Sequence, residues 1–458
     1  MHRTLVLDVV GLTSDLLGPN TPNLNRLVER GGKAALKTVT PAVTCSAQST
    51  FITGELPRGH GCVANGWYFR DLSQVWLWRQ SNRLVQGEKL WDKARRRNGA
   101  FTVDKMFWWY KMYADVDFVV TPRPIYRADG RKLPDIHASP GTLRNELQAS
   151  FGQFPLFDFW GPRAGIKSSE WIAEAALHVH RSRQPTLNLV YLPHLDYNLQ
   201  RLGPGDPRIG EDVRAIDAVC GKLLDQAEQD GVRVVVLSEY GITEVSGAVH
   251  INRVLRNAGL VSFREECGEE HLDVGASEAF AVADHQIAHV YVRNPGRIAE
   301  VQALLEGVEG IEVVLDDEGK REAGLDHERS GELVAISRAD RWFSYYWWLD
   351  DSRAPDFSRN VDIHSKPGYD PVELFVDPEI PLAPLYIASR LFRSKVLNQR
   401  ASLDVISFDT SLVRGSHGRP TDDLAAGPVF LTSEPHLLHD DVVEATDVKG
   451  LLLDHIFG

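Results

Sequence analysis

TLVLDVVGL, residues 4–12, is the stretch on which the fold turns. It is a continuous apolar run that carries Asp8 and is closed by a glycine. A half-exposed strand would alternate apolar and polar residues. A run apolar on both faces reads instead as a strand buried in a parallel sheet, here with a carboxylate at its C-terminal end.

Reading outward, TPNLNRLVERGG (21–32) has the grammar of a helix. Thr21 stands at the N-cap, Pro22 at the first helical position, Leu24 and Leu27 share a face, and Gly31 stops it. PAVTCSAQSTFITG (41–54) follows a strand-like stretch. Its small and hydroxyl-bearing residues fit either a tightly packed helix or a reactive hydroxyl held at a helix start. TLNLVYL (186–192) and VRVVVLSEYG (232–241) read as buried strands, with an amphipathic helix between them over 211–231. IAHVYV (287–292), IEVVL (311–315) and ELVAIS (332–337) read as further strands. This alternation predicts an α/β fold: a mostly parallel sheet with helices on both faces and any site at the carboxyl ends of the strands. Two aromatic-rich regions, 72–165 and 342–410, read as inserted, lid-like segments near the site of a single domain spanning 1–458. Most of their individual aromatics are better assigned to packing.

Composition narrows the function. Apolar residues make up 43% and charged residues 25%, as in an ordinary globular chain. Lys and Arg total 50 against 63 Asp and Glu, a formal charge of −13, which argues against general nucleic-acid binding but suits clustered carboxylates. The N-terminus has no leader pattern and no stretch approaches a membrane span, so a cytoplasmic, membrane-free protein is expected. The four cysteines (Cys45, Cys62, Cys220, Cys267) form no CxxC pair and read as apolar fillers of a reduced protein.

The strand ends carry the chemistry. Asp8 follows the first strand, Thr44 opens the small-residue helix, Asp196 lies in YLPHLDYNLQRLGP, Glu239 and Tyr240 in VLSEYG, and His417 in RGSHGRPTDD. If the sheet is as read, these side chains converge on one rim. Oxygen ligands and a histidine gathered around a hydroxyl suit metal-assisted phosphoryl transfer. A bound cation would lower the threonine pKa, and the helix N-terminus would add partial positive charge.

In order and spacing these motifs resemble the alkaline phosphatase superfamily, closest to its nucleotide pyrophosphatase/phosphodiesterase branch. Thr44 lies ten residues before Gly54, GELPRGHGCVANGWYFRD follows, Asp196 is followed by Gly203-Pro204, and SHG stands at 416–418. The resemblance implies an alkaline phosphatase-like three-layer sandwich. It implies two divalent ions, zinc or manganese with magnesium as a further candidate, held by Asp8, Thr44, Asp196, Glu239 and His417. It also implies a covalent phosphothreonine on Thr44, and Asn65 donating to a phosphate oxygen.

The chain departs from that pattern at two histidine positions, occupied here by Gln200 and Tyr240. A neutral tyrosine, with a reference pKa of about 10, is a poor zinc ligand. Three outcomes follow: harder ions on oxygen ligands, substitution by nearby histidines, or loss of one or both metals. His285 is a candidate substitute, whereas His289 and His60 read as structural. His364, before the GYD segment that contains Asp370, competes with His417 for the last-histidine role, and His417 has the better context. Gln200 is open between weak ligand, substrate contact and solvent; Tyr240 reads as a packing or hydrogen-bonding group.

The expected activity is hydrolysis of phosphoric esters, of the phosphodiesterase or nucleotide pyrophosphatase type. The substrate would be a small phosphorylated molecule, nucleotide-like or with an aromatic or apolar leaving group. Two alternatives stand beside it. One is a metal-poor protein of the same fold that binds a phosphorylated ligand without turnover. The other is a phosphomonoester, phosphonate or sulfate ester hydrolase, or a phosphotransferase.

Overall fold

The computed structural model describes residues 1–363, 366–397, 403–421 and 423–458. The opening apolar run forms strand β1 (Thr4–Val9), buried at every position. In chain order it is followed by β2 (Gly32–Lys37), β3 (Val103–Met106), β4 (Phe118–Pro122), β5 (Ile136–Ser139), β6 (Leu187–Leu192) and β7 (Arg233–Leu237). Next come β8 (Ala279–Asp284), β9 (Ile287–Val292), β10 (Ile311–Leu315) and β11 (Leu333–Ser337), then β12 (Val429–Thr432) and β13 (Val442–Glu444). The main sheet has nine strands in the order β13-β2-β12-β7-β1-β6-β3-β4-β5. β1 sits inside it, parallel to β6 on one side and β7 on the other. β3 and β4 continue the parallel run, and antiparallel pairing appears at β5 and around β12.

Helices α1 (Pro22–Arg30), α2 (Thr44–Thr53), α3 (Leu90–Arg97), α4 (Ile166–Arg183), α5 (His194–Leu202), α6 (Ile209–Gln229) and α7 (Val448–Phe457) complete three layers. The two-residue period of β1 divides its side chains between the faces. Leu5, Leu7 and Val9 join a core with α1, α4 and α6, while Val6 joins one with α2, α3 and α7. Asp8 shares the parity of Val6 and therefore faces α2. The start of α1 is satisfied from a distance. Thr21 occupies the N-cap position without a side-chain cap bond, and Asp217 of α6 accepts the N–H groups of Asn23 and Leu24 at 3.1 and 2.9 Å.

Two expectations need correction. The segment 72–165, read as an insertion, supplies β3, β4 and β5, which form one end of the main sheet. The three strands read over 287–337 exist, but with β8 they form a separate four-stranded sheet, β8-β9-β11-β10, paired antiparallel. A buried strand shows the same apolar run in either setting, so the pattern alone did not distinguish the two sheets. The aromatic run near 345, read as packing within an inserted segment, is core: Tyr345, Tyr346, Trp347 and Trp348 are all buried in the cluster built on the second sheet. Among the described residues, no helix is long and apolar enough to cross a membrane.

Candidate active site

Register brings the acidic side chains to one rim. Asp8 is paired with Leu237 of β7 and Tyr191 of β6, so residues just past β6 and β7 lie beside it. α2 starts at that rim with Thr44. All ten of its residues are buried, which its small side chains permit, and Gly54 closes it at φ +70°, a conformation that favours glycine.

Thr44 Oγ1 donates to Glu239 Oε2 at 2.7 Å and lies 3.4 Å from the Tyr240 hydroxyl. One turn along α2, Gln48 shares the face of Thr44. Its Nε2 donates to Glu239 Oε1 at 2.6 Å and to Asp8 Oδ2 at 3.0 Å. Its Oε1 accepts the Trp109 backbone N–H at 2.7 Å, which fixes the amide with nitrogen toward the carboxylates. Asp8 Oδ1 has no hydrogen-bond partner. Desolvation pushes Asp8 up to about 7 and Glu239 well above the usual carboxyl range. Two buried carboxyls bridged by one amide cannot both ionise readily, and each raises the cost of charging the other.

Asp196 stands on the first turn of α5. Its Oδ1 accepts from Tyr240 Oη at 3.2 Å and its Oδ2 from Gln200 Nε2 at 2.8 Å; Gln200 Oε1 is left without a partner. Burial raises Asp196 to about 7. The Tyr240 ring stacks on His417 at 3.7 Å between centroids, and His285 lies on the far side at 3.9 Å. His417 Nδ1 is 2.9 Å from the Ala42 carbonyl and must donate to it. Its Nε2 therefore presents a lone pair, 3.8 Å from Asp196 Oδ1. Burial holds this imidazole neutral, down to about 3.

Asn65 is fixed on all sides. Its Oδ1 accepts the Cys45 N–H at 2.9 Å, and its Nδ2 donates to Asp284 Oδ1 at 3.2 Å and to Tyr369 Oη at 3.1 Å. Asp284 ends β8, and His285 follows it in the turn to β9 with φ +60°. The next residue, Gln286, donates its N–H to the His417 carbonyl at 2.8 Å. Gly418, at φ +115°, lets the chains meet there, since a Cβ would lie 2.9 Å from that nitrogen.

Thr44, Asn65, Asp196, Tyr240, His285 and His417 line a cleft with about 440 Å³ of unfilled space, part of it open to solvent. Trp78, Trp109, Phe159 and Trp160 form its walls. Asp8, Gln200 and Glu239 sit behind this lining, joined to it by the hydrogen bonds above. Asp370 does not line the cleft: it caps a short turn through the Val372 N–H. Its neighbour Tyr369 takes the place in the network, bonding Asp284 at 2.8 Å. His364 lies outside the described residues. His289 bonds Val63 O and Gly331 N, and His60 bonds Thr50 and Cys62, so both are structural. Sequence reasoning missed Gln48, Asp284 and Tyr369. Gln48 alone carried a local signal, its i+4 spacing from Thr44.

The two divalent ions that the resemblance implies do not fit this donor set. Among the described residues, no group of three or more His, Cys, Asp or Glu side chains is arranged to hold a metal ion. Between Asp8 and Glu239 the inward group is an amide N–H, a donor where an ion needs lone pairs.

Comparison with known proteins agrees with the fold. The chain resembles the murine ectonucleotide pyrophosphatase/phosphodiesterase 5 structure with TM-score 0.60 at 14% identity, over 99% of this chain and 95% of that one. It resembles phosphonoacetate hydrolase from Sinorhizobium meliloti 1021, solved with phosphonoformate, with TM-score 0.62 at 13% identity, over 99% and 96%. An uncharacterised pyrophosphatase/phosphodiesterase of Schizosaccharomyces pombe is 24% identical over 254 residues, 53% of this chain and 45% of the relative, so the match spans less than half of that protein. The profile of the type I phosphodiesterase / nucleotide pyrophosphatase family matches residues 4–370. With that profile spanning most of the chain, and with a buried threonine at a helix start beside a strand-end carboxylate, the chain belongs to the type I phosphodiesterase/nucleotide pyrophosphatase family.

Proposed function

We propose that the chain hydrolyses small phosphoric esters through Thr44. The observation that carries the reading is the 2.7 Å hydrogen bond from Thr44 Oγ1 to Glu239, at the start of α2 and on the floor of the cleft. A threonine hydroxyl is weakly nucleophilic until a base takes its proton, and burial makes the Glu239 carboxylate a stronger base than an exposed one. As the Oγ–P bond forms, Glu239 takes the hydroxyl proton, and the ester oxygen leaves on the opposite side, taking a proton from solvent. Water then cleaves the phosphothreonine from that side, releasing a proton to solvent, while Glu239 returns its proton to Thr44 Oγ1. The N-terminal end of α2 adds partial positive charge near the developing negative charge.

The motif resemblance implies divalent metal ions. No step here is routed through one, because the donors behind Thr44 are closed by Gln48. The aromatic walls suit a flat or apolar leaving group. AMP is the ligand of an inactive variant of the murine relative, and phosphonoformate that of the bacterial one, so a compact phosphorylated substrate is in keeping with both. A second reading, a binding protein without turnover, is favoured by one observation: both Asn65 Nδ2 hydrogens are already engaged, by Asp284 and Tyr369.

A chromogenic phosphodiester panel, run with chelator and with Mn²⁺ or Zn²⁺, separates the readings. Turnover that falls at least about 10³-fold in Thr44→Ala supports the first. Phosphate-ester binding without turnover under any condition supports the second.

A further inference from the structure

The side-chain amide of Gln48 lies between two carboxylates where the family resemblance would place an ion. Its Nε2 is 2.6 Å from Glu239 Oε1 and 3.0 Å from Asp8 Oδ2. Glu239 Oε2 accepts from Thr44, so three of the four carboxylate oxygens accept from neutral side-chain donors. The amide cannot simply turn over. Its oxygen accepts the Trp109 N–H at 2.7 Å, and rotation would oppose that N–H with another donor. It would also leave buried acceptors on Asp8 and Glu239 unpaired. All four residues, Asp8, Thr44, Gln48 and Glu239, are at most 2% exposed, so water does not substitute for the amide at a low cost.

We infer that Gln48 replaces a resident cation in the Asp8–Glu239 half of the site: its amide bridges the two carboxylates, keeps Glu239 aimed at Thr44, and excludes a metal from that position. Gln48 is thus a positioning residue, acting on the nucleophile through Glu239. The inference concerns what holds the same Thr44 site. Metal occupancy is read independently of turnover, so its failure is distinguishable from failure of the hydrolase reading.

The test uses the purified full chain. Mn²⁺ and Zn²⁺ are titrated by calorimetry, with elemental analysis of the dialysed protein. Uptake by the wild type should be the same in Asp8→Asn, because no ion uses Asp8. Gln48→Glu, which keeps the shape but removes the N–H donors, should bind Mn²⁺ at least about tenfold more tightly than the wild type, since affinity follows ligand charge. The gain should vanish in Asp8→Asn combined with Gln48→Glu. A Gln48→Glu chain that folds only with Mn²⁺ supports the inference equally. Wild-type uptake that weakens tenfold or more in Asp8→Asn overturns it, and so does a folded Gln48→Glu that gains no ion. If Gln48→Glu folds under neither condition, the wild-type and Asp8→Asn comparison decides alone.

Discussion

The two acidic halves of this rim are built from the same materials and finished differently. In the Asp8 half, two carboxylates are tied by one amide, and Thr44 adds a further donor. In the Asp196 half, one carboxylate is held by Tyr240 and Gln200, and two acceptors remain unclaimed: Gln200 Oε1 and the lone pair of His417 Nε2. The Asp8 half lies behind the cleft lining, leaves only Asp8 Oδ1 unpartnered, and holds the hydroxyl. The Asp196 half faces the cleft and keeps acceptors to offer. A carboxylate at a strand end therefore does not by itself mark an ion site; what decides is whether its neighbours point lone pairs or hydrogens into the same space.

The sharpest way to break that contrast is Glu239→Gln. It keeps the volume and removes the base, and kcat should fall about 10²–10⁴-fold, as measured on a chromogenic diester. An equal loss in Gln200→Ala would show that the halves do not differ in the way described. The pH profile gives the next largest effect. Glu239 must be unprotonated to take the threonine proton, and burial together with the Asp8 charge raises it well above the usual carboxyl range. Activity should therefore rise with pH only above that range. Asp8→Asn removes the neighbouring negative charge, which lowers the Glu239 pKa, so the acidic limb of kcat/KM should move down by about one pH unit or more. An unmoved limb would place the titrating group elsewhere. The smallest effect belongs to Tyr240→Phe. The ring still stacks on His417, and the hydroxyl's bond to Asp196 and its long 3.4 Å contact with Thr44 Oγ1 are lost, so turnover should change less than about tenfold and stability by about 1 kcal/mol in urea titration.

Much of the frame could be read from residues alone. The apolar run around Asp8 announced a buried strand, and the polar residues after β6 and β7 announced the rim, because parallel neighbours end together. Thr44, Asn65, Asp196, Tyr240, His285 and His417 do meet at one cleft. What local pattern does not carry is the partner of each group. Gln48 is an ordinary helix residue until Trp109, 61 positions away, fixes its amide. Asp284 and Tyr369 reach Asn65 across separations of 219 and 304 residues. The second sheet was hidden for a related reason. A strand buried on both faces has the same composition whether its neighbour runs with it or against it, and strand direction is set by connections that single runs do not encode.

The turn carrying His285 and Gln286 belongs to the second sheet, yet it ends against the His417–Gly418 loop, which bridges to Ala42 at the rim of the first. The rim is thus a joint, with one jaw on each sheet. The Tyr240–His417–His285 ring stack crosses it like a laminate. Side chains deep in the antiparallel sheet therefore set the alignment of groups they never touch, and the second sheet is a structural half of the cleft.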